Sequence, residues 1–149
     1  MDVILLTGPP EDSSRDEEWL IRFLGLPGKR IVAGGTTASL LSRYTGGEVV
    51  IRLDSQRPEI PPWGRMAGVE LVTEGVITLE AVVNGWNKKE ESVKGCEREP
   101  SAADKMSDLL KQADTVFLLT GLGPRRRELI VRLSRLLRSE GKKVIINRF

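Results

Sequence analysis

The chain has no histidine, a single cysteine and no long apolar run, and each of these absences excludes a class of protein. Without histidine there can be no serine–histidine or cysteine–histidine dyad and no histidine metal ligand. The lone Cys96 excludes a disulfide framework and a cysteine-built zinc site, and we assign it no role. No apolar run approaches the roughly 18 residues of a membrane span, and the N-terminus lacks the basic region of a signal peptide. We therefore expect a cytoplasmic protein that does not contact a membrane.

The chain also lacks a large excess of positive or negative charge. The 23 basic and 21 acidic residues leave a net charge of +2, which gives no sign of nucleic-acid binding. The length of 149 residues matches one domain, and 40% hydrophobic with 30% charged residues is typical of a globular chain. Because histidine is absent and there is only one cysteine, any chemistry must use carboxylates, hydroxyls, Lys, Arg, backbone amides, or a cation such as Mg²⁺ or Mn²⁺ held by oxygen ligands.

Short apolar runs alternate with segments of helical period along most of the chain. The runs at 2–7, 29–33, 48–53, 69–73, 115–119 and 143–147 predict buried strands because they are short and apolar. Ser101 with Asp104, and Pro124 further along, mark two of the helix starts between them. The alternation predicts one Rossmann-like α/β domain over residues 1–149. It would have three layers and a mainly parallel sheet of five to six strands.

Two segments interrupt this alternation. Residues 54–68 hold three prolines and two glycines, which predicts a long loop. Within it, Trp63 and Arg65 could belong to a lid over a ligand or to an interface with a partner or a second copy. Residues 87–100 are charged and nearly devoid of apolar side chains, so we expect a flexible surface loop there.

Four of the predicted strands run into threonine and glycine, and this repetition predicts a binding site. The carboxyl ends of parallel strands share one edge of a sheet, where ligands bind, and glycine lets the backbone approach a ligand closely. Each following helix points its unpaired N–H groups and positive dipole end at the same edge. We therefore expect a small anionic or phosphate-containing ligand there. The candidate ligand-binding residues are Thr7, Gly8, Gly34, Gly35, Thr36, Thr37, Thr73, Gly75, Thr120, Gly121 and Arg125.

The Gly34–Thr37 junction is the best single candidate, although its spacing matches neither the GxxxxGK[ST] nor the GxGxxG phosphate-binding pattern. The alternative is an ordinary strand-to-helix turn in which Thr36 or Thr37 is the N-cap. Arg125 is the first of three arginines that oppose the dipole of the helix they begin. It could close on the anion, or belong to a solvated basic patch.

A second hypothesis is an enzyme that transfers or hydrolyses phosphoryl groups with Mg²⁺. Glu74 is the carboxylate within these strand ends, and we consider it as a general base or cation ligand. The alternative is a solvated glutamate favoured by the dipole of the next helix. Catalysis would need a second carboxylate, for which Asp12, Asp54 and Asp114 are the candidates. A third hypothesis is a protein-interaction domain.

Three stretches, at 7–20, 28–51 and 61–79, resemble the C-terminal region of stage II sporulation protein E-like serine phosphatases of anaerobic bacteria. The GGTTA and LVTEGV pieces are the specific ones. The resemblance implies a signalling region that follows a metal-dependent phosphatase domain, which would then be its partner. Metal-dependent phosphatases of this class bind their metals through Asp-Gly steps, and this chain has none. The resemblance thus implies a regulatory or ligand-binding region and not the catalytic domain.

Overall fold

The computed structural model describes residues 1–88, 99–121 and 123–149. Seven strands occur in these ranges: β1 (Asp2–Thr7), β2 (Lys29–Ala33), β3 (Val50–Ile51), β4 (Gly64–Met66), β5 (Val69–Thr73), β6 (Thr115–Thr120) and β7 (Lys143–Arg148). Five helices lie between them: α1 (Asp16–Gly25), α2 (Gly35–Thr45), α3 (Val76–Gly85), α4 (Ala102–Gln112) and α5 (Pro124–Ser139). The larger part of the predicted loop at 87–100, including Cys96, lies outside the described residues. None of the described helices is long and apolar enough to cross a membrane.

The strands form one sheet in the order β3-β4-β5-β2-β1-β6-β7. The strands from β5 to β7 in this order are parallel to one another, whereas β4 is antiparallel to both of its neighbours. The predicted three-layer α/β class with a mainly parallel sheet is confirmed. The sheet has one strand more than the six that the sequence indicates.

The additional strand, β4, corrects the prediction of a continuous loop over residues 54–68. Gly64 pairs with both Ile51 and Val72, so β4 closes a small antiparallel extension of the sheet. A Cβ on Gly64 would lie 2.8 Å from the Val50 carbonyl oxygen, which explains why glycine stands there. The third predicted strand, 48–53, shrinks to Val50–Ile51 because a 3₁₀ turn begins at Leu53.

Apolar side chains on alternate residues of the strands build a core on each face of the sheet. Leu5, for example, packs with α3, α4 and α5, whereas Ile4 and Leu6 pack with α1 and α2. The helix starts follow the sequence at two points. Ser101 and Asp104 form a capping box at the start of α4, and Pro124 is the first residue of α5.

Trp63 belongs to the core on the face covered by α3, α4 and α5, which corrects its prediction as part of a lid or an interface. Its ring is 1% exposed, and its Nε1 donates to the Pro100 carbonyl oxygen at 2.9 Å. Arg65, on β4, is exposed, and its guanidinium lies 5.3 Å from the Trp63 ring centroid. The proline-rich segment is therefore fastened to the molecule through Trp63.

The point where the strand order reverses lies between β1 and β6. β2 and β5 lie on one side of β1, and β6 and β7 lie on the other. Such a reversal usually opens a crevice for a ligand. Here the loop after β1 fills it, because a Cβ on Gly121 would lie only 1.9 Å from the Pro9 carbonyl oxygen. Any site on this edge must therefore lie beside the reversal point.

Candidate functional site

The four threonine and glycine strand ends meet at one edge of the sheet, as predicted. Thr7 pairs in register with Ala33 on one side and Thr120 on the other, and Ala33 pairs with Thr73. These four residues therefore form a row across the carboxyl ends of β5, β2, β1 and β6. Their side chains lie on the face covered by α3, α4 and α5, because Leu5, two residues before Thr7, packs in that core.

The hydroxyls of the row have different roles. Thr7 Oγ1 donates to the Ala33 carbonyl oxygen at 2.8 Å, and Thr73 Oγ1 donates to the Val32 carbonyl oxygen at 3.4 Å. Thr7 and Thr73 thus join neighbouring strand ends. This corrects their prediction as ligand-binding residues, because their hydroxyls are used within the protein. Thr120 Oγ1 is buried and has no hydrogen-bond partner in the described structure. Thr78 Oγ1, in the first turn of α3, is also buried and has no hydrogen-bond partner among the described residues.

Three of the predicted glycine amides are used within the protein, which corrects the expectation that they face a ligand. Gly8 N donates to Thr37 Oγ1 at 3.1 Å, and Gly34 N donates to the Thr73 carbonyl oxygen at 3.0 Å. Gly121 N donates to the Thr7 carbonyl oxygen at 2.9 Å. These bonds join neighbouring strand ends into a rigid edge. The amides that can serve a ligand are those of the helix starts.

Three helices begin at this edge, each preceded by a glycine in a backbone conformation that favours glycine. The φ angles are 144° at Gly34, 127° at Gly75 and 114° at Gly123, and none of these N-caps supplies a side-chain cap. The alternative in which Thr36 or Thr37 caps α2 is therefore wrong. Glycine is required at Gly34 for a second reason, since a Cβ there would lie 2.9 Å from Thr37 Oγ1.

The start of α2 is the most open of the three. Gly35 and Thr36 are exposed, and a Cβ on Gly35 would meet nothing within 4 Å. Thr37 is buried, and its hydroxyl is engaged with Gly8. Because no N-cap side chain covers this helix start, its first amides face the open space beside Gly35. The structure thus divides the GGTT junction into an inward structural half and an outward half available to a ligand.

Glu74 caps α3. Its Oε1 accepts a hydrogen bond from Thr78 N at 2.9 Å, so the carboxylate satisfies an amide of the first turn of the helix. This contact matches the non-catalytic alternative for Glu74. The neighbouring Gly75 lies close against the end of β2, since its Cβ would be 3.1 Å from Gly34 Cα.

The other carboxylates considered for a metal site have structural contacts of their own. Ser14 N donates to Asp12 Oδ1 at 3.0 Å and lowers the pKa of Asp12, while Asp54 pairs with Arg52 at 3.3 Å. Asp114 precedes β6 and therefore lies at the opposite edge of the sheet from Glu74. Among residues 1–88, 99–121 and 123–149, no group of three or more Asp, Glu, Cys or His side chains could hold a metal ion. The magnesium-dependent enzyme stays a hypothesis.

The arginine at the site is Arg126 and not Arg125. Arg125 forms an ion pair with Glu80 on α3 at 2.8 Å, and this contact raises its pKa. The Arg126 guanidinium lies over the start of α2, where a Cβ on Gly34 would be 3.7 Å from Arg126 Nη2. Partial burial lowers the pKa of Arg126, and the charge of Glu74 acts in the opposite direction. A guanidinium stays protonated in proteins, so a half-buried positive charge lies beside the open helix start.

A cavity of about 820 Å³ opens at the same place, on the α2 side of the sheet edge. Its apolar part comes from α2, the segment before β3, the proline pair at 61–62 and the end of β5, and polar residues line it at both ends of α2. The lining residues are Gly35, Ala38, Ser39, Ser42, Arg43, Glu48, Val49, Ile51, Pro61, Pro62, Val72, Thr73 and Glu74. This volume is within the range of small-molecule sites.

Of the three arginines at 125–127, Arg125 was favoured in the sequence analysis, although a signal for Arg126 exists. Arg126 lies three and four residues before Leu129 and Ile130, both of which are buried on the inner face of α5. Helical period therefore turns Arg126 inward and leaves its neighbours Arg125 and Arg127 outside. The cavity had no comparable signal, because it depends on how the segment before β4 folds back against α2.

Comparison of the chain with protein-family models, with curated proteins and with solved structures gave no match. The fold defines the chain as a three-layer α/β domain. The resemblance to the sporulation phosphatase family stays a prediction.

Proposed function

We propose that this domain binds a small organic anion, a phosphate ester or a carboxylate, at the start of α2. The negative group would accept hydrogen bonds from the first amides of α2 and lie next to Arg126, while its organic part would occupy the adjacent cavity. The observation that carries this proposal is an uncapped helix start with a half-buried guanidinium beside Gly34 and a cavity of about 820 Å³ lined by Gly35.

Electrostatics favours an anion over a cation at this point. The N-terminus of a helix carries about half a positive charge, and an anion there gains roughly 0.3–1 kcal/mol when exposed and up to about 2 kcal/mol when partly buried. Arg126 adds a full charge, and its burial reduces screening by water. Glu74 lies nearby, but its carboxylate is committed to the Thr78 amide.

Two buried hydroxyls at this edge have no hydrogen-bond partner among the described residues. Thr78 is fully buried and Thr120 is 1% exposed, and a buried hydroxyl without a partner costs roughly 1–3 kcal/mol. Both lie on the edge from which α3 and α5 begin. Neither lines the cavity beside α2, so an ordered water, and not the proposed ligand, would satisfy them.

The cavity lining indicates that the ligand has an apolar or aromatic part. Ala38, Val49, Pro61, Pro62 and Val72 contribute to its walls. An inorganic anion would leave these walls in contact with water, whereas an organic anion would cover them. We therefore expect phenyl phosphate to bind more tightly than inorganic phosphate.

Isothermal titration calorimetry with phenyl phosphate and inorganic phosphate tests the proposal. Arg126→Met should weaken binding of both by about 30-fold, since a hydrogen bond to a charged group is worth about 2 kcal/mol. Arg127→Met is the matched control because it removes the same charge from the next, exposed position. Equal affinities for the wild type and Arg126→Met would contradict the proposal, as would a loss of affinity in the Arg127 variant as large as in Arg126→Met.

A further inference from the structure

Charge is distributed unevenly between the two faces of the sheet. Residues 124–149 hold nine basic and two acidic side chains, a net charge of +7, although the whole chain carries only +2. Residues 1–28 hold two basic and six acidic side chains, a net charge of −4. Helix α1 packs on one face of the sheet and α5 packs on the other. The first turn of α1 carries Asp16, Glu17 and Glu18, whereas the charged side chains of α5 are mainly arginines, and we call the surface of α1 the acidic face and that of α5 the basic face.

The basic face contains a hollow of about 490 Å³ between α3 and α5. Val83 and Leu136 give it apolar walls, and Arg132 and Arg135 stand at its edge. Arg132 Nη2 donates to Asn84 Oδ1 at 3.1 Å, which holds the side chain over the hollow. Neither arginine takes part in an ion pair with the described residues, so both charges are available to a partner.

The acidic face presents a side-chain group of matching character. Ile21 on α1 is 52% exposed. Glu17 and Glu18 lie four and three residues before it and share its side of the helix. Glu18 is paired with Arg15 at 3.2 Å, whereas Glu17 is exposed and has no ion pair within the described ranges.

We propose that copies of this chain associate head to tail, with α1 of one copy docked in the α3–α5 hollow of the next. Ile21 would enter the hollow between Val83 and Leu136, and Glu17 and Glu18 would face Arg132 and Arg135 of the neighbour. The two surfaces differ and lie on opposite faces, so the contact is heterologous. Each end of the assembly therefore keeps one unused docking surface, to which a further copy can bind. The inference does not depend on the proposed anion site.

Sedimentation velocity at increasing protein concentration tests this inference. At about 30 mM salt the average mass should rise beyond that of a dimer. At 1 M salt, where the Debye length is about 3 Å, the apparent dissociation constant should increase at least tenfold. A mass that stays at one chain, or that stops at two, at low salt would overturn the inference.

Charge exchange gives the sharper result. Arg132→Glu with Arg135→Glu, and separately Glu17→Lys with Glu18→Lys, should each weaken self-association at least tenfold because like charges then face one another. Mixing the two double variants should restore association, because each supplies the sign that the other has lost. Failure of the mixture to associate would overturn the inference.

A matched control separates this contact from general attraction between oppositely charged proteins. Glu59→Lys with Glu70→Lys changes the net charge as much as the α1 variant does, at exposed positions outside α1. On its own it should self-associate as tightly as the wild type, because it leaves α1 and the α3–α5 hollow unchanged. Ile21→Ser, which leaves every charge in place, should also weaken the wild-type contact, and circular dichroism would verify that each variant is folded. Weakened self-association of the control variant, or an unchanged contact in Ile21→Ser, would overturn the inference.

Discussion

Gly35→Asp should raise the stability of the fold while abolishing anion binding. Gly35 is the first residue of α2 and is exposed, and an added Cβ would meet nothing within 4 Å, so the side chain enters without strain. A carboxylate there gains roughly 0.3–1 kcal/mol from the helix dipole, and loss of glycine freedom in the unfolded chain adds roughly 0.4–1 kcal/mol. We expect the free energy of unfolding to rise by about 1 kcal/mol, and Tm by about 3 °C for a chain of this size.

The same carboxylate should repel the ligand. Two unit charges about 4 Å apart repel by about 4 kcal/mol at the effective dielectric of a protein surface, and solvent screening reduces this value. We expect the affinity for phenyl phosphate to fall about 100-fold. Thermal unfolding and calorimetry on the same samples measure both effects, with Gly35→Ala as the neutral control that gains stability and keeps binding. If Gly35→Asp binds as tightly as Gly35→Ala, α2 is not the anion site and the reasoning is refuted.

Two further predictions concern the framework of the edge. Gly121→Ala should lower the free energy of unfolding by about 3 kcal/mol, because its methyl group would overlap the Pro9 carbonyl oxygen and displace the loop after β1. Chemical denaturation measures this change, and an unchanged midpoint would contradict the packing described. Trp63→Phe should cost about 2 kcal/mol through the lost hydrogen bond to Pro100 and the smaller ring. In that variant, exposure of the 54–68 segment should appear as faster amide hydrogen exchange, and unchanged exchange would show that Trp63 does not fasten the segment.

The alternation of apolar runs and helical segments was sufficient to predict the fold class. Each buried parallel strand is a continuous apolar run, so it can be identified from its own sequence without knowing which strand pairs with it. It failed at β4, where Gly64–Met66 contains one apolar side chain and pairs only because β3 and β5 are already in place. Strand order was equally beyond reach, because it depends on long-range pairing that leaves no local pattern.

The position of the site was predictable and its chemistry was only partly so. Parallel pairing alone brings Thr7, Thr73 and Thr120 to one edge. Which polar groups face inward is decided by hydrogen bonds between distant residues, such as the one from Gly8 N to Thr37 Oγ1. For that reason the sequence could not separate the structural residues of the edge from Gly35 and Thr36, which face the open space.

Two-dimensional NMR of the ¹⁵N-labelled protein during titration with phenyl phosphate is the most direct measurement of the central claim. Saturable shifts at the amides of Gly35 and Thr36, together with a shift at the Arg126 side chain, are what the account predicts. Shifts confined to residues away from the start of α2, or no saturation at millimolar ligand, would contradict it.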